Sequence, residues 1–478
     1  MQAHNALMSF RTILIVGGGF TGTVLAARLL RESHAQPTCI ILVERQEEVG
    51  RGLAYAKHDF PYLLNVPAGQ MSADPENPTE FLEFAQQQGV SATADDFLPR
   101  RLYGEYLSAK LKAAARNPSP GTQFLRIHGE VVRIRRVSQS GKSSWSVGLG
   151  DGRSLSADTV VLALGNPPPR KLHRCELDPW RAAEEVQPGQ SVLLVGTGLT
   201  MVDVALRLST VPGVALTAIS RHGLLPRAQT AFTRRTMCDG GELLDSPVSL
   251  LALVSRVREQ ARAAVAAGRD WREVVTQVRA CAPALWRRMS LEDRSRFLRH
   301  VRAYWDVHRH RLPAETAARI AQLEAEGKLQ VHAGRIREIR RVDRGPCVIW
   351  YRRGALQSEI LRVDHVVNCT GPDYRVRQSP EPLIRSLLRA GLIRPDPLEL
   401  GIEVDPSGEV IDARGRPVPR LYYVGPMLRA RDWEATAVPE LRRHVAALAR
   451  RLTAEATVKL PKRSPALAAL GFEIDRPR

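Results

Sequence analysis

Two stretches of this sequence combine an apolar run with closely spaced glycines. In the first, ILIVGGGFTG, the residues Gly17, Gly19 and Gly22 follow the GxGxxG spacing. Between a strand and a helix, the first glycine allows a tight turn, the second lets a pyrophosphate approach the backbone, and the third lets the helix pack closely on the strand. The unpaired N–H groups at the start of that helix then bind the pyrophosphate. The spacing therefore predicts a dinucleotide site.

A second apolar run supports this prediction. The stretch CIILVE ends at Glu44, 22 residues after Gly22, where a carboxylate can accept hydrogen bonds from a ribose hydroxyl. The position of this unit near the start of the chain favours FAD as its nucleotide, with Phe20, Thr21 and Arg45 as further contacts. The alternative is a glycine turn that serves packing alone.

The second glycine turn lies about 180 residues later, in SVLLVGTGLTM. Gly196 and Gly198 match the first two positions and Met201 stands at the third, so this helix is expected to pack less tightly. Thr200 belongs to the same predicted site. Two such turns indicate two dinucleotides, and the chemistry that uses both is hydride transfer from a nicotinamide to a flavin. The alternative is a degenerate unit that no longer binds a nucleotide.

The strand after the second turn ends differently from the first. VALTAIS ends at Ser220 and is followed by Arg221, whereas an acid there would bind a 2′-hydroxyl. A hydroxyl and a guanidinium suit a 2′-phosphate. The sequence therefore predicts NADPH rather than NADH.

A paired pattern closes each half of the chain. DTVVLALG ends at Gly165 and DHVVNCTG ends at Gly371, and each follows a more polar, hairpin-like stretch (residues 123–155 and 328–361). We therefore predict an α/β fold with two Rossmann-like dinucleotide-binding domains. The expected FAD domain has two segments (1–180 and 376–455), the NAD(P)H domain spans 181–375 with a helical insertion at about 241–325, and 456–478 form a tail.

Together these features resemble the FAD/NADPH-dependent monooxygenases, which include flavin-containing and N-hydroxylating enzymes. DHVVNCTGP is similar to the D-x-x-x-L/F-A-T-G-Y signature of the N-hydroxylating group. The matching residues are Asp364, Thr370 and Gly371. The departures are Asn368, Cys369 and Pro372.

A closer resemblance, over nearly the whole chain, is to bacterial FAD/NAD(P)-binding proteins of largely unassigned activity. It runs through GRGLAYAKHDFPYLLNVPAGQMSA, LPRRLYGEYL, LALGNPPP, FLRHVRAYWDVHRHR and GPMLRARDWEATAVPELR. The resemblance implies that the helix beginning near Val438 aims its N-terminus at the flavin, where its partial positive charge stabilises the reduced ring. It also implies further FAD contacts at Gly50, Gly52, Leu64, Asn65, Val66, Met71, Val132, Gly425 and Ala437.

Composition narrows the function classes. The 478 residues carry a formal charge of +19, but the arginines are spread along the chain without interleaved aromatic residues, so we expect no nucleic-acid partner. The six cysteines include no close pair, which excludes a disulfide reductase and argues against a metal site. Without an apolar run of membrane-spanning length or a secretory signal, the expected location is cytoplasmic.

The predicted helical insertion contains a histidine- and arginine-rich stretch. His300, Tyr304 and His308 would share one helix face, and Arg302, Trp305 and Arg309 would mark another. The first face either points toward NADPH or an anionic substrate, or belongs to an ordinary solvated or partner-facing helix.

The favoured function is an NADPH-dependent flavin monooxygenase that transfers oxygen from a C4a-peroxyflavin to a nucleophilic nitrogen or sulfur of a small molecule. Because the cofactor supplies this chemistry, no catalytic side chain is assigned. Two alternatives remain: a flavin dehydrogenase or reductase without oxygen transfer, and a non-catalytic FAD-binding sensor.

Overall fold

The computed structural model describes residues 10–139, 142–174, 176–230, 249–342 and 345–454. The strands are β1 (Arg11–Val16), β2 (Thr38–Glu44), β3 (Thr122–His128), β4 (Val131–Gln139), β5 (Lys142–Leu149), β6 (Ser154–Ala157), β7 (Thr159–Leu162), β8 (Glu176–Leu177), β9 (Ser191–Val195), β10 (Ala215–Ser220), β11 (Leu329–Val342), β12 (Gly345–Arg352), β13 (Ser358–Arg362), β14 (His365–Asn368), β15 (Glu409–Ile411) and β16 (Pro417–Tyr423). The helices are α1 (Phe20–Arg31), α2 (Glu80–Gln87), α3 (Arg100–Arg116), α4 (Ala182–Glu185), α5 (Leu199–Leu208), α6 (Leu250–Ala266), α7 (Trp271–Arg288), α8 (Leu291–Arg296), α9 (Arg302–Arg309), α10 (Ala314–Ala325), α11 (Pro382–Arg389) and α12 (Val438–Ala454).

The first domain is built on a six-stranded sheet of order β15-β16-β7-β1-β2-β3, parallel except at β15. Its strands are apolar on both faces because both are covered. Ile13 and Ile15 of β1 pack against α1, α3 and α12. Leu14 and Val16, which point the other way, pack against the small antiparallel sheet β4-β5-β6 and α11.

The second domain has a seven-stranded sheet of order β13-β12-β11-β10-β9-β14-β8. The strand β9 runs parallel to β10 and β14, and α5 and α10 cover one face. The other face packs on the hairpin β11–β12 through Val348 and Trp350. The predicted α/β fold with two Rossmann-like domains is therefore confirmed.

The two domains close in the same way. Asp158, just before β7, accepts a hydrogen bond from the Thr12 backbone N–H at 2.8 Å. Asp364, just before β14, accepts one from the Ser191 N–H at 2.7 Å. Each acid therefore fixes the start of the closing strand against the strand of the glycine turn, β1 or β9, with which it pairs, which explains why both closing patterns begin with aspartate.

Two details differ from the simple sequence pattern. The stretch 123–155 is not only a hairpin, because β3 joins the first sheet as a parallel strand beside β2. The short β8 at residues 176–177 pairs with β14 and so belongs to the second sheet. The described part of the insertion runs from α6 to α10, while the start of the predicted insertion (residues 241–248) and the predicted tail (456–478) lie outside the described residues.

Within the described ranges, no helix combines the length and apolar character needed to cross a membrane. The same ranges hold no group of three or more histidine, cysteine, aspartate or glutamate side chains that could bind a metal ion. The described cysteines Cys39, Cys281, Cys347 and Cys369 are free thiols.

Candidate dinucleotide-binding sites

The first glycine turn requires glycine at two positions for steric reasons. Gly17 has φ +102°, and a Cβ built on it would lie 2.4 Å from the Ala163 carbonyl oxygen. A Cβ on Gly22 would lie 1.8 Å from the Gly17 carbonyl oxygen. The turn and the helix α1 can therefore approach β7 and each other only because both residues lack side chains.

Gly19 is different, because a side chain there would meet its surroundings only at an ordinary contact distance. The nearest atom to a Cβ built there is the Gly52 Cα, at 3.8 Å. Gly19 is also the N-cap of α1, and no side chain caps the helix. The first N–H groups of α1 are thus available to a phosphate group, and this geometry fits a dinucleotide.

Glu44 is fixed at the end of β2. Its two carboxylate oxygens accept hydrogen bonds from the backbone N–H groups of Gly18 (2.5 Å) and Gln46 (2.8 Å). Each carboxylate oxygen can accept a second hydrogen bond. The side chain is therefore oriented by the glycine turn and retains acceptor capacity for ribose hydroxyls.

A cleft runs along the carboxyl ends of β1, β2 and β7 and is here called the first-domain cleft. The predicted site residues that line it are Gly17, Gly19, Phe20, Thr21, Glu44, Arg45, Gly52, Gly165 and Val438. The predicted first-domain residues outside its lining are Gly22, Gly50, Leu64, Asn65, Val66, Met71, Val132, Gly425 and Ala437. Several of these are direct neighbours of lining residues, such as Val131, Pro426 and Thr436.

The segment expected near the flavin ring divides between two environments. Leu64 and Met71 are 3% and 2% exposed and belong to the core beneath α1 and α3, and Val66 packs against the same core. Asn65 instead lines a second cavity, between the domains. Gly50 has φ +87° and donates its N–H to the Gly18 carbonyl at 2.7 Å.

Sequence reasoning missed several lining residues. Arg51 lines the first-domain cleft between the two predicted glycines of GRG. The only feature of the sequence that could have identified it is its place between Gly50 and Gly52. Tyr374 and Asn166 also line the cleft, and the Tyr374 hydroxyl donates to the Asn166 side-chain oxygen at 2.8 Å. Asn166 follows β7 and Tyr374 follows β14, so only the docking of the two closing strands brings them together.

The segment from Gly425 to Val438 reaches the cleft from β16. Gly425 has φ +151°, and a Cβ there would lie 2.7 Å from the Tyr423 hydroxyl oxygen, which accepts the Met427 N–H at 3.0 Å. Ala437 immediately precedes α12 and accepts the Leu441 N–H. The start of α12 lines the cleft at Val438, so the positive end of its dipole lies at the cleft.

The helical insertion holds this segment from the other side. Glu434, 3% exposed, accepts hydrogen bonds from Trp305 Nε1 at 2.9 Å and from Arg309 Nε at 2.7 Å. Arg279 of α7 forms a two-pronged pair with Glu440 of α12, at 2.8 and 3.1 Å. The predicted face that carries Trp305 and Arg309 is therefore the one that packs against the segment from Gly425 to Val438.

The other predicted face of this helix points toward the second domain. A π-helical turn at Phe297–Val301 separates α8 from α9. His300 and Tyr304 are exposed, and the Tyr304 ring lies 5.7 Å from the His222 ring. His308 packs edge-on against Trp271 at 5.0 Å. This face thus borders the end of β10, where the second nucleotide site is predicted.

The second glycine turn repeats the geometry of the first. Gly196 has φ +109°, and a Cβ there would lie 2.7 Å from the Cys369 carbonyl oxygen. No described atom lies within 4 Å of a Cβ built on Gly198, which is the N-cap of α5. Met201 at the third position is fully buried in the core under α5. The second turn therefore keeps the open backbone of the first.

Other predicted residues of the second site surround this turn. Thr200 is the second residue of α5, and Gly371 (φ +78°) follows β14 with open space above its Cα. The Ser220 hydroxyl lies 2.8 Å from Thr197 Oγ1 and accepts the Gly223 N–H at 3.0 Å. Because Thr197 donates its own proton to the Leu224 carbonyl, Ser220 donates to Thr197 and so stabilises the turn.

Three exposed guanidinium groups lie near the end of β10. Arg221, Arg335 and Arg353 come from three different strands or strand ends. Burial, and after it the charges of these three arginines, lowers the pKa of His222. Positive charge from these three side chains therefore reaches the region of His222, directly after β10, and guanidinium groups there suit a phosphate.

Comparisons with known proteins agree with this geometry. Residues 14–167 match a family model described as FAD-NAD(P)-binding. Among solved structures, the fold is similar to the ornithine hydroxylase of Pseudomonas aeruginosa, with 15% identity over 93% of this chain and 99% of that chain and a TM-score of 0.63. The Kutzneria sp. 744 ornithine N-hydroxylase gives the same values. The L-lysine 6-monooxygenase of Pseudomonas syringae has 17% identity, the same coverage and a TM-score of 0.59.

A comparison with curated proteins finds no match. The chain therefore contains an FAD-NAD(P)-binding domain and shares the fold of the ornithine and lysine monooxygenases.

Proposed function

We propose that this protein is an FAD-dependent, NADPH-using monooxygenase that oxygenates a nucleophilic nitrogen or sulfur of a small molecule. The observation that carries the proposal is the duplicated turn, in which Gly19 and Gly198 each leave an uncapped helix start open. Two dinucleotide sites in one chain suit the transfer of hydride from NADPH to FAD. The similar Kutzneria enzyme was solved with reduced FAD, NADP⁺ and L-ornithine, which favours nitrogen as the target.

The residues of the first site would hold FAD along the first-domain cleft. Gly19 and the start of α1 would bind the pyrophosphate, and Glu44 would bind the ribose. The start of α12 at Val438 would face the ring, where its partial positive charge favours the anionic reduced form. Bound FAD supplies the chemistry by accepting hydride and activating dioxygen, and the protein orients it and limits the access of water.

The second site would take NADPH on the start of α5. Arg221, Arg335 and Arg353 would bind the 2′-phosphate, because guanidinium groups donate charge-assisted hydrogen bonds to phosphate oxygens. Ser220 is better placed to maintain the turn than to bind the phosphate, since its proton is directed to Thr197. We place the reaction in the cytoplasm.

The test combines reduction and product analysis. The FAD-loaded protein is reduced anaerobically with NADPH and then mixed with ¹⁸O₂ and a panel of primary amines and thioethers. We expect rapid reduction and one ¹⁸O atom in a hydroxylated amine, detected by mass spectrometry. Reduction that ends in hydrogen peroxide with every substrate would assign a reductase, and bound FAD that NADPH does not reduce would leave a flavin-binding protein.

A further inference from the structure

The boundary between the two domains contains a cavity of about 300 Å³, here called the interdomain cavity. The first domain contributes residues 60–63, Asn65 and Arg100, and the second contributes one side of α5 and residues of the 312–319 segment. A cavity removes packing contacts along the surfaces that line it. Discrete polar contacts therefore matter more here for holding the domains in register.

Arg100 makes three contacts at this boundary. Its backbone N–H donates to the Tyr62 carbonyl at 2.8 Å, and its side-chain Nε donates to the Leu63 carbonyl at 3.0 Å. Its Nη2 forms an ion pair with Asp203 of α5, 2.8 Å away. One side chain thus joins loop 60–66 to the helix of the second glycine turn.

The partner of Arg100, the Asp203 carboxylate, is buried and so depends on this ion pair. Asp203 is 9% exposed and lies one turn into α5, close to Gly198. An unpaired carboxylate at that depth is costly, because burial removes its hydration. A second contact also joins α5 to loop 60–66, because the Arg207 guanidinium of α5 lies 5.9 Å from the Phe60 ring centroid. A displacement of α5 must therefore displace loop 60–66 or break the pair.

We propose that Arg100 and Asp203 are positioning residues that couple the second dinucleotide-binding helix to loop 60–66, whose residues Leu64, Asn65 and Val66 the family resemblance places near the flavin. The consequence of this coupling rests on the proposed function. NADPH bound at the start of α5 would fix the position of loop 60–66 and, with it, the relative placement of nicotinamide and flavin. Hydride transfer is sensitive to such placement. The coupling itself is a property of the protein and can be measured without turnover.

The test uses the FAD-loaded full chain and the variant Asp203→Asn, with Glu315→Gln as the matched control. Glu315 is an exposed carboxylate that lines the same cavity. Without added nucleotide, we expect Asp203→Asn to accelerate amide hydrogen exchange of residues 60–66 at least about threefold, across the domain boundary. Glu315→Gln should leave this exchange unchanged. Unchanged exchange in Asp203→Asn would overturn the coupling.

The functional consequence has its own readout. On adding NADP⁺, residues 60–66 and 199–208 should both become protected in the wild type, and only 199–208 in Asp203→Asn. Anaerobic reduction by NADPH should slow about tenfold, or about 1.4 kcal/mol, while reduction by dithionite stays the same. Equal protection of loop 60–66 in the variant would contradict the proposal. Absence of protection at α5 in the wild type would instead contradict NADPH binding, and the exchange result without nucleotide would still decide the coupling.

A second, more conservative variant tests the coupling in case Asp203→Asn fails to fold. Arg100→Lys keeps the positive charge, but a lysine cannot donate to both the Leu63 carbonyl and Asp203 in the fork geometry of arginine. We expect an intermediate acceleration of exchange at residues 60–66 with full FAD content. A wild-type exchange pattern in this variant would contradict the role of Arg100.

Discussion

At the scale of single residues, the glycines of the two turns perform two separate tasks. Gly17, Gly22 and Gly196 are surrounded so closely that a side chain would meet backbone carbonyl oxygens at 1.8 to 2.7 Å. A Cβ on Gly19 would instead meet only the Gly52 Cα, at an ordinary contact distance of 3.8 Å, and one on Gly198 would meet no described atom within 4 Å. The GxGxxG pattern predicts a tight turn at the first position, an open approach at the second and close packing at the third. It does not identify the atoms that crowd each glycine, because these depend on which strand packs beside its Cα.

The two tasks predict opposite phenotypes for two alanine variants of the first turn. Gly22→Ala should lower the free energy of unfolding by about 3 kcal/mol, because its Cβ overlaps the Gly17 carbonyl. Gly19→Ala should fold normally, since its φ of −72° suits alanine, but should weaken FAD binding at least about tenfold by blocking the approach of the pyrophosphate. Denaturant unfolding of the FAD-free proteins and FAD titration separate the effects. Wild-type FAD affinity in Gly19→Ala would remove this residue from the site.

The arginine cluster at the end of β10 makes a prediction about coenzyme choice. Arg221→Ala, Arg335→Ala and Arg353→Ala should each raise the KM for NADPH about tenfold and leave the KM for NADH nearly unchanged, because only NADPH carries the 2′-phosphate. Steady-state kinetics with both coenzymes provide the measurement. Arg362→Ala, on the edge strand β13, is the control and should affect neither. Equal effects on both coenzymes would contradict the 2′-phosphate role.

At the scale of elements, the strand–turn–helix units could be predicted from sequence because their signals are local. An apolar run buried on both faces, a glycine turn and a helix start determine β1–α1 and β9–α5 to within a few residues. The helix face of Trp305 and Arg309 was also predictable from spacing. Its partner, Glu434, lies more than 120 residues away, and no local pattern could identify it.

The contact between the insertion and the segment from Gly425 to Val438 predicts a large loss of stability for one substitution. Glu434→Gln should lower the free energy of unfolding by about 3 kcal/mol, because it leaves the Arg309 guanidinium, 7% exposed, without its counter-charge. The control is Glu292→Gln, which breaks an exposed pair with Arg296 and should cost less than about 1 kcal/mol. Urea unfolding of both variants measures the difference. Similar values for the two would show that the buried pair contributes no more than a surface pair.

At the scale of the whole molecule, the duplication of the glycine turn was predictable, and the docking of the two copies was not. Both domains use an aspartate, a strand and a glycine to close their sheets, so the sequence repeats what the structure repeats. The interdomain contacts Arg100–Asp203 and Arg207–Phe60 join residues that belong to no common motif. They depend on the relative orientation of two sheets, which hydrophobic periodicity does not encode.

The interdomain pair also predicts how stability depends on pH. Burial raises the pKa of Asp203 above its ordinary value even though Arg100 lowers it, so the folded protein binds this proton more tightly than the unfolded chain. Stability from this group therefore falls as pH rises through the interval between the unfolded and folded pKa values. Arg100→Ala removes the cation that opposes the shift, which raises the folded pKa further and extends that interval toward neutral pH.

We therefore expect the destabilisation caused by Arg100→Ala to grow as pH rises from the acidic range of an ordinary carboxyl to neutral, measured as urea midpoints at several pH values. The titratable neighbours of Asp203, Tyr62 and Cys369, do not ionise in this range, because burial raises the pKa of Tyr62 to about 12 and that of Cys369 higher still. Arg319→Ala, an exposed arginine on the same cavity, is the control and should parallel the wild type. If the curve of Arg100→Ala also ran parallel to the wild type, Asp203 would not be the charge that Arg100 neutralises, and the domains would have to be held in register by other contacts, such as those of Arg309 with Glu434 and of Arg279 with Glu440.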